Sequence, residues 1–196
     1  MIVMGKLILV SILFFLSCRI PEKKYKIDYY NYPLKKSEGL MKYNLKEGVW
    51  KYYFPNGKIS SIITYSHGEM NGETKVYNEN GHLSSIAILK NGNFIGQMIN
   101  YYPNGALNTI EKYDSNGITQ DTFKIWFESG KLSEIGKFLN GMIVGKCVFF
   151  YENQNIREIR HYDSFGKKDS FWTYYSLKGE LVKKESYEAD SLLSVE

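Results

Sequence analysis

Arginine is almost missing from this chain: only Arg19, Arg157 and Arg160 occur, and the formal balance is +4. Without clustered Arg there is no general nucleic-acid footprint, and no nucleic-acid partner is expected. Proline appears four times and cysteine twice, so neither a Pro-rich linker protein nor a disulfide framework is encoded. Three histidines, His67, His82 and His161, fall at different places along the chain, and no Cys or His pair has metal-ligand spacing. No metal and no cofactor is expected. No uncharged stretch reaches the length that crosses a bilayer as a helix. What is abundant is aromatic: 17 Tyr, 11 Phe and 3 Trp make 16% of the 196 residues, beside 17 Gly. That excludes a disordered polypeptide and points to many turns joining half-exposed strands.

The first seventeen residues read as an address. Met1 to Lys6 opens with positive charge, Leu7 to Leu16 is a short apolar run, and Leu16-Ser17-Cys18 closes it. Such a run suits a cleaved export signal. Phe15-Leu16-Ser17-Cys18 resembles the lipobox of bacterial lipoproteins, which implies cleavage before Cys18 and acylation of its thiol. The expected location is then the bacterial cell envelope, with the membrane reached through a lipid anchor instead of a helix. Residues 18–39, with Lys23, Lys24, Lys26, Lys35 and Lys36, read as a polar tether. Tyr29-Tyr30-Asn31-Tyr32-Pro33 is open to a second reading as the start of a sheet.

Between residues 40 and 187 a repeat runs. Gly57, Gly81, Gly105, Gly130, Gln154 and Gly179 are spaced by 24, 24, 25, 24 and 25 residues. Four residues before each stands a ring: Tyr53, Tyr77, Tyr101, Trp126, Phe150 and Tyr175. Two residues after come Ile59, Leu83, Leu107, Leu132, Ile156 and Leu181, and five after, Ile62, Ile86, Ile110, Ile135 and Ile159, with Lys184 breaking the last unit. Pro55-Asn56-Gly57 and Pro103-Asn104-Gly105 suit a type I turn that closes on a bulge. Gly68, Gly92, Gly117, Gly141 and Gly166 mark a second reversal, expected as a longer Gly-containing loop between units. The fold class is therefore all-β: an elongated, single, twisted antiparallel meander of about six repeated β-hairpins, or about twelve strands. Leu40, Tyr43 and Gly48 match the second half of a unit, an N-terminal half-repeat that caps the sheet. Residues 188–196 read as a C-terminal tail.

The string Gly48-x-Trp50-x-Tyr52-Tyr53-x-x-Asn56-Gly57-Lys58-Ile59, with echoes at Gly72, Gly96 and Gly145, resembles the variant MORN repeat of bacterial antitoxin-like and lipoprotein sequences. Asp121 and Ser170 stand where a unit should open on Gly, and Gln154 where the turn should carry one. The resemblance implies an antitoxin or immunity role as an alternative function, in which the sheet occludes a toxin.

Little in the sequence looks like chemistry. Cys147 aligns with Trp50, Thr74, Met98, Phe123 and Trp172, a mostly apolar column suited to a small buried thiol. Glu134 and Glu158 share a repeat column, but Ser61, Ser85, Thr109 and Lys183 fill its other places, as in a variable solvated position. The expected function is non-enzymatic: a lipid-anchored repeat module that binds a protein or an envelope component. Its candidate binding residues are Tyr53, Tyr77, Tyr101, Trp126, Phe150 and Tyr175, read either as a contact surface or as rings stacked on one another. A polysaccharide ligand or substrate is the third reading, because flat rings stack on sugars.

Overall fold

The computed structural model describes residues 22–196; Cys18 and the apolar run before it lie outside the described residues. Fifteen strands form one sheet. They are β1 (Lys23–Asn31), β2 (Leu34–Lys42), β3 (Leu45–Tyr53), β4 (Ile59–Ser66), β5 (Glu69–Tyr77), β6 (Leu83–Lys90), β7 (Asn93–Tyr101) and β8 (Leu107–Tyr113). There follow β9 (Thr119–Trp126), β10 (Leu132–Leu139), β11 (Met142–Phe150), β12 (Ile156–Tyr162), β13 (Ser170–Tyr175), β14 (Leu181–Glu188) and β15 (Ser191–Val195). Spatial order equals chain order, and each strand is antiparallel to its neighbours. The chain is an all-β meander of repeated hairpins, longer than the twelve strands expected.

The extra strands come from both flanks. Lys23–Asn31 and Leu34–Lys42, read as tether up to residue 39, pair with each other, and β2 pairs with β3. The reason is period-two alternation: Tyr25, Ile27 and Tyr29 alternate with Lys24, Lys26 and Asp28, and the lysines mark an outer strand, not a solvated linker. Likewise residues Ser191–Val195 of the expected tail pair with β14, reached through a two-residue turn in which Ala189 and Asp190 both have positive φ (46° and 73°).

Two turn chemistries connect the strands of the meander. At the first, the Gly57 amide donates to the Phe54 carbonyl at 2.9 Å and the Phe54 amide to the Lys58 carbonyl at 2.8 Å, with Gly57 at φ 81°. This is the bulged turn expected there. The second reversal keeps the longer Gly-containing turn at Gly117 and Gly166, where the Asp114 and Asp163 amides donate to the Ile118 and Lys167 carbonyls at 2.9 Å, and is tighter than expected at the other three. His67-Gly68, Asn91-Gly92 and Asn140-Gly141 are two-residue connections with both residues at positive φ, which matches the right-handed strand twist without a longer loop.

Each unit opens with a bulge on its odd-numbered strand. Between β4 and β5, for example, pairing passes from Ile63↔Thr74 to Tyr65↔Met70, so that two extra residues are absorbed around Gly72. The residue at that point is left-handed in every unit, including Asp121 (63°) and Ser170 (55°) where Gly is replaced, and Gln154 (69°) keeps the same geometry in its turn. A side chain at positive φ costs on the order of 1 kcal/mol. Ser170→Gly is therefore expected to raise stability by about 1 kcal/mol, seen as a higher urea midpoint with an unchanged slope.

Both rims are stitched from unit to unit. On one, side-chain amides of Asn56, Asn104 and Asn153 donate to the carbonyls of Glu79, Glu128 and Leu177. The hydroxyls of Tyr102 and Tyr151 reach the Trp126 and Tyr175 carbonyls at 2.8 and 2.9 Å. On the other rim, the amides of Gly68, Gly92, Gly141 and Asp190 donate to the carbonyls of Lys46, Met70, Thr119 and Lys168. Each unit thus rests on the one before it.

Candidate binding face

The two faces of the sheet do different work. On one, Trp50, Phe123, Cys147 and Trp172 line up across the units and are almost fully buried, at 1%, 3%, 0% and 6% exposure. The Trp50 and Trp172 indoles donate to the Leu40 and His161 carbonyls at 3.0 and 2.9 Å. Fifteen residues on, a second column supplies ring partners: Trp50 meets Tyr65, Phe123 meets Phe138, and Trp172 meets Tyr187, with centroids 6.3, 4.7 and 5.2 Å apart. Those distances lie in the favourable aromatic range. The ring column is the core.

Room for it is made by small residues. A Cβ on Gly39 would stand 2.4 Å from the Trp50 ring, and one on Gly136 2.7 Å from Phe123 and 2.9 Å from the Cys147 sulfur. At both ends of this face the rings surround the chain's own lysines. The Lys46 ammonium sits 4.8, 5.0 and 4.9 Å from the centroids of Trp50, Tyr52 and Tyr65, and Lys168 lies 4.6 and 4.8 Å from those of Trp172 and Tyr187. Cation–π attraction and the 2.6 Å hydrogen bond from Lys46 to the Tyr52 hydroxyl close the first cage. Sequence reading missed it, although Lys46 and Lys168 occupy equivalent repeat positions.

Charged groups on this face are tied down. Glu158 accepts from Arg157 at 3.1 Å and from Arg160 at 2.5 Å, and both guanidiniums lie over the Phe149 ring. Phe149 pairs on one side with Glu134 and on the other with Glu158, so a strand separates the two carboxylates. Burial pushes the Cys147 thiol up to about 12, with the Glu134 carboxylate adding to the effect, and the thiol donates to Glu134 at 3.4 Å. It is a packed thiol, not a thiolate. The histidines stand apart: His82 contacts the Pro103 carbonyl, His161 that of Phe171, and His67 the Ser66 hydroxyl.

Two carboxylates bear on acid stability. Lys183 and the hydroxyls of Tyr174 and Tyr187 all reach Glu185, holding its pKa below the ordinary 4.5, and Lys35 with Tyr53 does the same for Glu38. A lowered native pKa contributes stability that is present above the unfolded value and lost as pH falls through the native one. Glu185→Gln is expected to flatten the fall in stability below about pH 4.5, measured as urea midpoints at neutral and acid pH. Glu134 has the opposite sign, since burial raises its pKa.

The six predicted binding rings stand on the other face. Tyr53, Tyr77, Tyr101, Trp126, Phe150 and Tyr175 are each the last residue of an odd-numbered strand, so all six lie along one rim, and all are half-buried. Each pairs with the first residue of the next strand: Ile59, Leu83, Leu107, Leu132, Ile156 and Leu181. Rings on alternate strands are about 10 Å apart, at twice the strand spacing. That corrects the expectation of rings stacked on one another: among the described residues no two of the six are in ring contact, and aliphatic side chains come between them. Tyr53 donates its hydroxyl to Glu38, whereas those of Tyr77, Tyr101 and Tyr175 have no protein partner among the described residues. Beside the ladder runs a second half-buried stripe of Ile62, Ile86, Ile99, Ile110, Ile135, Val148 and Ile159.

Residues 46–67 and 70–91 match the family profile described as the MORN repeat variant. These two segments are MORN-variant repeats. Both matched segments begin on an odd-numbered strand and end in the next two-residue turn, so one MORN unit is one hairpin with its ladder ring in the middle. MORN repeats of this kind suggest a repeat-type binding module. No curated protein matches the chain. A solved structure of TcdB2-TccC3-TEV aligns over 86% of this chain at 12% identity and a TM-score of 0.26, too low to bear on the fold. The alignment covers 11% of that chain's length.

Proposed function

We propose that this protein is anchored by lipid at Cys18 in the bacterial cell envelope, and that its sheet binds a protein partner through the rim carrying Tyr77, Tyr101 and Trp126. The reading is supported by one observation above all. Six rings lie half-exposed on the face opposite the core, where none stacks on another and three hydroxyls stay unpaired among the described residues. Flat amphipathic side chains of this sort add contact area at low entropic cost. Lipid at Cys18 would hold this surface near the membrane through the chain itself.

Two measurements test the parts separately. Labelled palmitate is expected on the wild type and lost in Cys18→Ala; equal incorporation removes the anchor. Capture of the partner from envelope extract is expected to fall in Tyr101→Ala and Trp126→Ala. Undiminished capture by both folded variants removes the ring surface from the account.

A further inference from the structure

Over β8 to β11 the ladder face becomes basic. Lys112, Lys124, Lys137 and Lys146 are exposed, and alternation sets them on the side away from Glu111, Phe123, Gly136 and Cys147 of the core face. Lys124 pairs with Ile110 on one side and Ile135 on the other. Lys137 and Lys146 rim a shallow depression lined by Ile135, Val148 and Thr122. The charges that face this patch from neighbouring strands are few. Asp121 is paired with Lys112 at 2.5 Å and also feels Lys137, and His161 lies opposite Lys146. One carboxylate thus stands against four ammonium groups, beside an apolar floor that is half-buried.

We propose that this patch receives an acidic amphipathic segment of a partner protein, with one apolar side chain entering the depression and carboxylates meeting Lys124, Lys137 and Lys146. The inference deepens the binding-module reading and rests on it. Charge complementarity selects the sign of the partner. The recess selects its kind. Ile135 and Val148 lie below the exposed lysines, so a flat bilayer meets ammonium groups without covering the apolar floor, whereas a side chain reaches it. A phosphate backbone would likewise leave that floor in water.

The experiment titrates the full chain in detergent with a short fluorescent amphipathic peptide of Leu and Glu, against a counterpart with Gln for Glu. Binding of the Glu peptide is expected to exceed that of the Gln peptide about tenfold or more, and to weaken as salt rises. Lys137→Glu with Lys146→Glu is expected to lose the same factor, whereas Lys178→Glu, in an exposed turn away from the patch, keeps full binding. Lys124→Ala serves as a second, milder variant should the double one unfold. Equal affinity for the two peptides, or indifference to both patch variants, overturns the proposal, as does tighter binding to phosphatidylglycerol vesicles than to the peptide. Ring-dependent capture without peptide discrimination would leave the binding module standing and remove only the acidic partner; loss of both would remove both.

Discussion

Trp50→Ala is expected to lower the unfolding free energy by about 3 to 5 kcal/mol, the range for deleting a fully buried large ring. Three losses combine at this position. The side chain is 1% exposed, the Leu40 carbonyl loses the indole N–H that donates to it at 3.0 Å, and Tyr65 loses its ring partner while the Lys46 ammonium loses one of its three rings. Tyr77→Ala on the opposite face is expected to cost only about 1 kcal/mol, typical of a half-buried site. Urea titration followed by circular dichroism checks the contrast. Because each unit of a repeat array leans on its neighbours, the Trp50 variant is also expected to open from the first hairpins.

Gly136→Ala is the second large effect, expected to cost about 1 to 3 kcal/mol through overpacking. Its φ is not in the left-handed region, so the backbone tolerates a side chain there; the obstruction is the Phe123 ring at 2.7 Å and the Cys147 sulfur at 2.9 Å. Both neighbours belong to the buried column and neither is the free end of a flexible chain. Phe123→Leu should therefore recover part of the loss when combined with Gly136→Ala, giving a non-additive pair in a double-mutant cycle. Additive losses would mean that the crowding is relieved elsewhere.

How much of this was visible in the residues depends on what each signal measures. The 24- to 25-residue spacing of turn glycines and rim aromatics predicts hairpins, and the meander carries them in that register. Even Asp121, Gln154 and Ser170, which break the glycine pattern, hold the left-handed geometry, because register across a buried face is more costly to change than one strained residue. Lysine content hides the flanking strands: Lys24 and Lys26 suggest solvation, while the strand is marked only by the alternation of Tyr25 and Ile27 with them. Asn91-Gly92 and Asn140-Gly141 are strong hairpin signals, but glycine spacing alone does not carry them: the two-residue turn depends on the Asn before each Gly, which also takes positive φ.

The division of labour between the faces was the least legible feature. Spacing places Tyr53 and Trp50 in different columns but does not show which column the sheet buries, since both carry rings. The structure decides through Gly39 and Gly136, whose missing side chains make space over Trp50 and Phe123. Neither glycine lies at a turn: Gly39 is inside β2 and Gly136 inside β10, away from the 24- to 25-residue glycine spacing. The basic patch was hidden for a related reason: Lys112, Lys124, Lys137 and Lys146 are scattered in sequence and meet only when adjacent strands are placed side by side.

Three tryptophans report on the two faces directly. In variants that each keep one of them and carry Phe at the other two places, acrylamide quenching of the folded protein is expected to be strong for Trp126 and weak for Trp50 and Trp172. Adding the captured partner should then shield Trp126 alone. Trp50 quenched as readily as Trp126 would contradict the account, because the ring column would no longer be the core and the ladder face would no longer be the free one.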